Sequence, residues 1–391
     1  MLKLGATIGI IGGGQLGMMT VREAQRIGFR SLVWDPDANC SASRLADEVV
    51  AARFADASAA ETLARQSDVV TYDFEHIDLA AVAHIETSKR VFPDGNVLRI
   101  AQNRRTEKNW LKEHGFPVVD FRIAEDERAL QASCAALGFP VVVKTTGAGY
   151  DGKGQAVIHS QQEVDRFVLE KINIPHELIV EQYLDLEAEL SVIVAREQDG
   201  KTWSFPVALN AHRNNILHTS LAPAPFTEEI IDRAVATGRA ISEKLDLVGL
   251  VCVELFLTNR GDLLVNELAP RPHNSGHYTL DGCSMSQFEA LVRTITGLPM
   301  CEPELIQPTA IVNVLGKHLE RLNLSALHAI TGTRLHIYGK TRTEPNRKMG
   351  HVSVVRKSVE ELLEGVNRIE GILGETVSDF TRFEWGAMNT L

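Results

Sequence analysis

The hydrophobic residues of the chain fall into short runs with two different periods. Ala6 to Ile11 is continuously apolar, as in a strand buried on both faces, and from there to Ile27 apolar positions recur at helical spacing until Gly28 stops them. Ser31 to Trp34 is a second strand, ending at Asp35, and the alternation continues with helix Ser58 to Gln66, strand Asp68 to Tyr72, helix Leu79 to Thr87 and strand Arg90 to Phe92. Strands and helices alternating across short connections predict a parallel α/β sheet. Ligands of such sheets bind beyond the carboxyl ends of the strands, which puts Gln15, Leu16 and Glu75 on one rim. The plainer reading of Glu75 is a helix cap. A helix from about Ala101 to His114, closed by Gly115 and Pro117, ends this unit. Arg104 and Lys108 share one of its faces, most simply a solvated basic one.

Beyond it the pattern turns to strands. Phe139 to Lys144 leads into a glycine-rich loop, and Ala156 to His159 resumes as a strand. Leu178 to Glu181, Glu189 to Val194 and Val207 to Asn210 are further strands, and Thr227 to Leu245 is a long amphipathic helix. Two β-type runs follow, Val251 to Leu257 and Leu263 to Leu268, with turn residues Asn259, Arg260, Gly261 and Asp262 between them, which predicts an antiparallel hairpin. If Thr258 and Leu263 close its loop, counting back along both strands sets Glu254 opposite Glu267. Helix Ser286 to Thr296, the short strands Ala310 to Leu315, Arg334 to Tyr338 and Gly350 to Val355, and helix Val359 to Arg368 complete the chain.

The hairpin carries the sharpest chemistry. Two carboxylates facing each other across a sheet have Cβ atoms only about 5 Å apart and repel. Apolar flanks argue for burial, where unpaired carboxylates are expensive. Oxygen ligands without a nearby His or Cys suit Mg²⁺, usually held by one or two carboxylates and a nucleotide's phosphates, and Asn266 could add a neutral oxygen. The bland alternative is a solvent-facing edge with accidental acids.

Two glycine loops need separate readings. Gly12-Gly13-Gly14-Gln15-Leu16-Gly17 between a strand and a helix, with Asp35 about 20 residues on, matches the dinucleotide fingerprint. It equally suits any phosphate or carboxylate approaching a helix N-terminus. Gly147 to Lys153 has Walker spacing, but Gly154 stands where Ser or Thr should be and a strand follows, so that reading fails and a glycine hairpin able to close over phosphates remains. Lys144, in an apolar strand just before it, needs an anion. Glu189 and His212 could each be ordinary surface positions.

A net charge of -11 argues against nucleic acid as a main partner, although the loop from Gly339 to His351 is basic and suits an anionic ligand. The five cysteines include no C-x-x-C pair, so neither a disulfide framework nor a zinc site is indicated. At 391 residues the chain has room for two or three domains. No apolar run approaches the ~18 residues of a membrane span and no signal peptide precedes the first strand, so a cytoplasmic protein without membrane partners is expected.

Lysine before a glycine hairpin, the strand ending Glu181-Gln182-Tyr183-Leu184, and a later carboxylate pair occur in an order that resembles the ATP-grasp superfamily. Within it the chain is similar to the N5-carboxyaminoimidazole ribonucleotide synthetase family, on the residues Gly12 to Gly17, Gly149-Tyr150-Asp151-Gly152-Lys153-Gly154-Gln155, Asn266 to His277, and Arg347 to His351. The resemblance implies an ATP-grasp fold with an N-terminal Rossmann-like domain of the biotin-carboxylase type over 1–100, an ATP-grasp domain over 101–310 with a lid at about 117–184, and a small β-rich C-terminal domain over 311–391. It implies a homodimer and an ATP-dependent ligase that joins bicarbonate to 5-aminoimidazole ribonucleotide through carboxyphosphate.

For ATP the resemblance implies Arg104, Lys144, the loop Gly149 to Gln155, backbone groups of Glu181 to Leu184, Glu189 at the ribose, His212, Asn266 and Glu267, with Glu254 and Glu267 as Mg²⁺ ligands. For the ribonucleotide it implies Gln15, Leu16, Glu75, Tyr150, Asp151, Lys153, Arg271, His273, Asn274, Ser275, Lys340 and Arg347. Asp151, His273, Lys153 and Arg271 would act in the chemistry. Asp73, Asn215 and Asn346 depart from the family's usual residues without removing a charged or metal-binding group. The rivals are another ATP-grasp ligase, such as formate-dependent glycinamide ribonucleotide transformylase, an NAD-dependent oxidoreductase built on Gly12 to Gly17, and a non-catalytic nucleotide binder.

Overall fold

The computed structural model describes residues 1–147, 154–170, 177–383 and 385. Among them the strands form three sheets. The first is parallel, in the order β3-β2-β1-β4, from β1 (Thr7–Ile11), β2 (Arg30–Asp35), β3 (Glu48–Ala51) and β4 (Val69–Tyr72). Helices α1 (Gln15–Ile27), α2 (Ala57–Gln66) and α3 (Leu79–Glu86) cover it. The continuous apolar runs of β1 and β4 are buried, as strands sandwiched between helix layers must be. Strand β3, exposed at both ends and half-buried between, gave too weak a pattern to be predicted.

The helix expected over about 101–114 is α5 (Arg104–Glu113), and a further helix that was not expected, α4 (Gly95–Ala101), precedes it. Asn103 separates them: its side chain accepts from the amides of Arg105 and Thr106 and caps α5. The second sheet is antiparallel, ordered β5-β8-β6-β7, from β5 (Phe121–Ala124), β6 (Val141–Thr145), β7 (Gln155–Ile158) and β8 (Leu178–Gln182). Helices α6 (Glu127–Leu137) and α7 (Gln161–Glu170) belong to the same unit. The loop residues 149–153, in which Gly149, Tyr150, Asp151, Gly152 and Lys153 were singled out, lie outside the described residues.

The third sheet has nine strands. Its members are β9 (Leu186–Arg196), β10 (Thr202–Ser204), β11 (Ala208–Arg213), β12 (Ile216–Ala222) and, after α8 (Glu228–Lys244), β13 (Gly249–Thr258) and β14 (Leu263–Ala269). The short α9 (Thr279–Gly282) and α10 (Gln287–Thr296) follow, then β15 (Thr309–Leu315), α11 (Leu324–His328), β16 (Thr333–Ile337), β17 (Lys348–Val355) and α12 (Val359–Leu373). The order is β14-β13-β9-β11-β12-β15-β17-β16, with β10 on β9. The β-rich C-terminal segment therefore has no separate sheet; its strands extend the central one.

Alternation along these strands decides what faces what. Val192, Val194, Val251, Val253 and Leu255 point to one face and pack with Ala234 and Ile241 of α8. Ile193, Ala195, Leu250 and Cys252 point to the other face and pack with Phe288 and Leu291 of α10. Further along that second face the apolar cover ends, and Glu254, Glu267 and Glu189 stand there.

Candidate active site

The hairpin β13–β14 brings Glu254 and Glu267 directly opposite each other. Leu257 pairs with Leu263, one residue off the predicted loop closure, and a bulge that leaves Asn266 as the extra residue restores the predicted pair. Glu254 also pairs with Ser191 of β9, which extends the polar row across the sheet.

The two carboxylates differ in their surroundings. Glu254 Oε1 lies 2.9 Å from His273 Nε2; burial opposes its charge, yet the bond and charge of His273 outweigh burial and hold it well below the usual carboxylate range. Glu267 is pushed the other way, first by desolvation and then by the charge of Glu254. Arg104 Nη2 approaches Glu267 Oε2 at 3.8 Å, and Glu267 opens onto the cleft. Two carboxylates, one of them disfavoured by its neighbour, fit a divalent cation that would neutralise both. Among the described residues no three His, Cys, Asp or Glu side chains are grouped as metal ligands.

Where the second sheet meets the third, Glu181 on β8 receives two ammonium groups, Lys144 Nζ at 2.5 Å and Lys108 Nζ at 3.4 Å. Burial would raise its pKa, but the two lysines outweigh that and bring it down to about 2. Lys108 is 1 % exposed, so the solvated basic face is corrected. Lys108 and Glu107 lie on the side of α5 that carries the buried Leu111, a spacing that would have given this away. Glu107 Oε1 accepts from Leu268 N at 2.6 Å and Lys108 Nζ donates to Val265 O at 3.3 Å, so α5 is bonded to β14 beside Glu267. Beyond Glu181, Gln182 and Tyr183 are exposed and Leu184 is half-buried, while Gln182 N donates to Asp120 O at 2.9 Å and Tyr183 N to Pro140 O at 3.3 Å. Glu189 Oε2 lies 2.9 Å from His212 Nδ1, and a bulge between Ala211 and His212 turns that ring toward it. Burial works against the imidazolium, but Glu189 raises its pKa.

A second set of polar side chains comes from three segments. Arg271 Nη2 holds Glu75 Oε1 at 2.7 Å, and Gln102 Nε2 pins the Glu75 loop through the carbonyls of Glu75 and Ile77. Asn274 is buried with both amide atoms unpartnered, and Arg271 Nε is likewise unpartnered. Ser275 is enclosed: its Oγ lies 2.9 Å from His273 Nδ1 and accepts from Ser191 Oγ at 2.7 Å, which makes it a support for His273. Lys340 Nζ donates to Lys348 O at 2.7 Å and Arg347 to Arg342 O at 2.9 Å, so the side chain of Arg347 is drawn into its own loop. The charge of Lys348, not singled out from sequence, reaches Glu254, His212 and His277.

Gln15 and Leu16 open α1 at the first glycine loop. That loop is filled from within. Gly13 N donates to Asp35 Oδ2 at 2.8 Å and Gly17 N to Asp73 Oδ2 at 3.0 Å, and a Cβ on Gly12 would lie 1.8 Å from Asp73 Oδ1. The glycines make room for the protein's own carboxylates where a dinucleotide-binding loop would approach a pyrophosphate. Burial raises Asp73 to about 7.

A cleft between a small antiparallel sheet and a large one, with the buried Lys108 and the half-buried Lys144 on one wall and a carboxylate pair on the other, defines an ATP-grasp ligase. Family models for the ribonucleotide synthetase preATP-grasp domain, the ATP-grasp domain and the phosphoribosylaminoimidazole carboxylase C-terminal domain match residues 5–102, 109–288 and 309–365. The N5-carboxyaminoimidazole ribonucleotide synthase of Bacillus subtilis is 39% identical over 363 residues, 93% of this chain and 94% of the relative. A solved ADP complex of an N5-carboxyaminoimidazole ribonucleotide synthetase superposes with TM-score 0.90 at 42% identity, covering 95% of this chain and 97% of the other. The Aspergillus clavatus synthase, solved with ADP and 5-aminoimidazole ribonucleotide, gives 0.88 at 29% identity, covering 95% and 99%. The chain belongs to the N5-carboxyaminoimidazole ribonucleotide synthase family.

Proposed function

We infer that the protein carboxylates 5-aminoimidazole ribonucleotide with bicarbonate at the expense of ATP, yielding N5-carboxyaminoimidazole ribonucleotide, ADP and phosphate in purine biosynthesis. The observation that carries this reading is the continuity of one stretch: Glu254 pairs with Glu267 across the hairpin and His273, a few residues on, lies 2.9 Å from Glu254, so the residues proposed for the metal adjoin Arg271, His273 and Asn274, proposed for the ribonucleotide. Phosphoryl transfer to bicarbonate and capture of the carboxyl group by the exocyclic amine need donor and acceptor held side by side.

Lys144 and Arg104, with the loop 149–155, would hold the ATP phosphates; Glu189 the ribose; and the backbone of Glu181 to Leu184 the adenine. Glu254 and Glu267, with Asn266 beside them, would hold Mg²⁺, which supplies charge stabilisation at the transferring phosphoryl group. Glu75, Arg271, Asn274, Lys340 and Arg347 would bind the ribonucleotide, with Gln15 and Leu16 at the first loop. His273 would orient the carboxyl donor, and Asp151 and Lys153 would meet the amine from the lid. In this reading 1–100 and 311–391 flank an ATP-grasp domain at 101–310, and the enzyme acts as a cytoplasmic homodimer. Among the described residues no helix is long and apolar enough to cross a membrane.

The test is phosphate release from ATP and bicarbonate with and without 5-aminoimidazole ribonucleotide. Strong dependence on the ribonucleotide is expected; phosphate release indifferent to it would overturn the reading.

A further inference from the structure

Gln287, the first residue of α10, is fully buried, and its amide holds the main chain of His273 on both sides. The His273 N–H donates to Gln287 Oε1 at 2.8 Å, and Gln287 Nε2 donates to the His273 carbonyl at 2.8 Å. A main-chain N–H can only donate, so the orientation of the amide is determined and Nε2 carries the donors. The other Nε2 proton faces His277 Nδ1 at 3.2 Å, which must accept, and burial keeps His277 neutral by pushing its pKa well below the ordinary value.

The grip extends along the loop. Gln287 N donates to Thr279 Oγ1 at 2.9 Å, and Thr279 Oγ1 donates to Gly276 O at 2.7 Å. Gly276 gives the amide its space: a Cβ there would lie 2.6 Å from Gln287 Oε1 and 2.1 Å from Ile193 Cδ1. A buried amide is costly unless satisfied, and here every partner of the Gln287 amide lies at 273 or 277. Helix α10 is itself tied to α1 by the Arg26–Glu289 ion pair, and α1 begins at Gln15 and Leu16.

We propose that Gln287 is a positioning residue whose amide clamp fixes the His273 main chain, so that the imidazole spans from Glu254 to the acceptor rim and phosphoryl transfer stays coupled to carboxylation. The inference rests on the ribonucleotide-carboxylating reading of the site. Loss of the clamp leaves Glu254 and Arg271 in place but frees the group between them, so ATP is consumed without the amine being carboxylated.

The experiment compares wild type with Gln287→Met, which keeps volume and removes all three bonds, and Gln287→Glu, which keeps an acceptor for the His273 N–H. Ribonucleotide-dependent kcat, KM for ATP, thermal midpoint and the ratio of phosphate released to ribonucleotide carboxylated are measured. Gln287→Met should lower kcat by about tenfold to a hundredfold, as a small misplacement of a reacting group does. It should also raise the ratio above one-to-one and leave KM for ATP within about twofold. Gln287→Glu should recover part of the coupling. A wild-type ratio in Gln287→Met, with only a lower thermal midpoint, overturns the proposal. Should that variant not fold, Gln287→Asn, one methylene short of its partners, serves, and a wild-type ratio there overturns it equally. A wild-type enzyme indifferent to the ribonucleotide overturns the functional reading instead; a responsive wild type with fully coupled variants overturns the clamp alone.

Discussion

Glu254 and Glu267 are chemically identical and pushed in opposite directions by what surrounds them. Glu254 has His273 at 2.9 Å; Glu267 has the charge of Glu254 before it and a more distant Arg104. A cation at this position would relieve the strain between them. Glu267→Gln should therefore cut ATP turnover by about a hundredfold or more, equivalent to ~3 kcal/mol of lost charge stabilisation, while the thermal midpoint stays close to wild type. Turnover retained at saturating Mg²⁺ would remove Glu267 from the proposed metal site. At this scale, sequence reasoning found the carboxylate pair because a hairpin's register is a matter of counting. It missed Lys108, because a lysine on a helix is ordinarily solvated and its partner Glu181 arrives from 73 positions away in another sheet.

Elements are held in place by polar knots as much as by apolar faces. At the end of α12, Glu370 accepts from Arg213 and Ser378 and lies 3.0 Å from His218, while Glu375 pairs with Lys317 at 2.5 Å and His318 at 2.7 Å. The Glu370 bonds fasten α12 to β11 and β12, next to His212, and the Glu375 bonds tie the residues after α12 to the turn that follows β15. Burial would raise the carboxyl of Glu375, but its bonds to Lys317 and His318 bring it from 4.5 down to about 2. A depressed carboxylate pKa contributes stability that is complete above its unfolded value and is lost as pH falls through the folded one. Wild type should therefore lose stability between pH 4.5 and about 2, and Glu375→Gln should show a flatter acid limb in urea midpoints measured across that window. An unchanged limb would mean that the Glu375 bonds contribute nothing to folding.

Across the whole molecule, the central sheet runs without interruption from β14 at one edge to β16 at the other. Strands β12 and β15, which pair at Thr219 to Ala222, are buried along their full length. Deleting 309–391 would uncover β12 as a long apolar edge, a template for aggregation. The truncated chain should be insoluble or molten by near-ultraviolet circular dichroism; a soluble, ATP-binding fragment would show that the C-terminal segment is an independent unit. The chain has a net charge of -11, yet Arg104, Lys144, Arg271, Lys340 and Lys348 carry positive charge among the candidate site residues and beside them, so the charge balance of the chain as a whole does not describe its site.

What the chain determined by itself was local. The continuous apolar runs of β1 and β4, the helical spacing of α1 and α8, and the turn chemistry of the β13–β14 hairpin are written in neighbouring residues, because periodicity and turn preference act over a few positions. Family-specific motifs from Gly12 to His351 also carried the type of reaction. Tertiary structure alone decided how those pieces met. It filled the first glycine loop with Asp35 and Asp73, made one sheet of the central and C-terminal strands, and buried Lys108 against Glu181. It also set Gln287 of α10 on the main chain of His273. Each of these depends on a charge or hydrogen bond finding its partner across a long sequence gap, where burial makes the pairing obligatory and no local pattern records it.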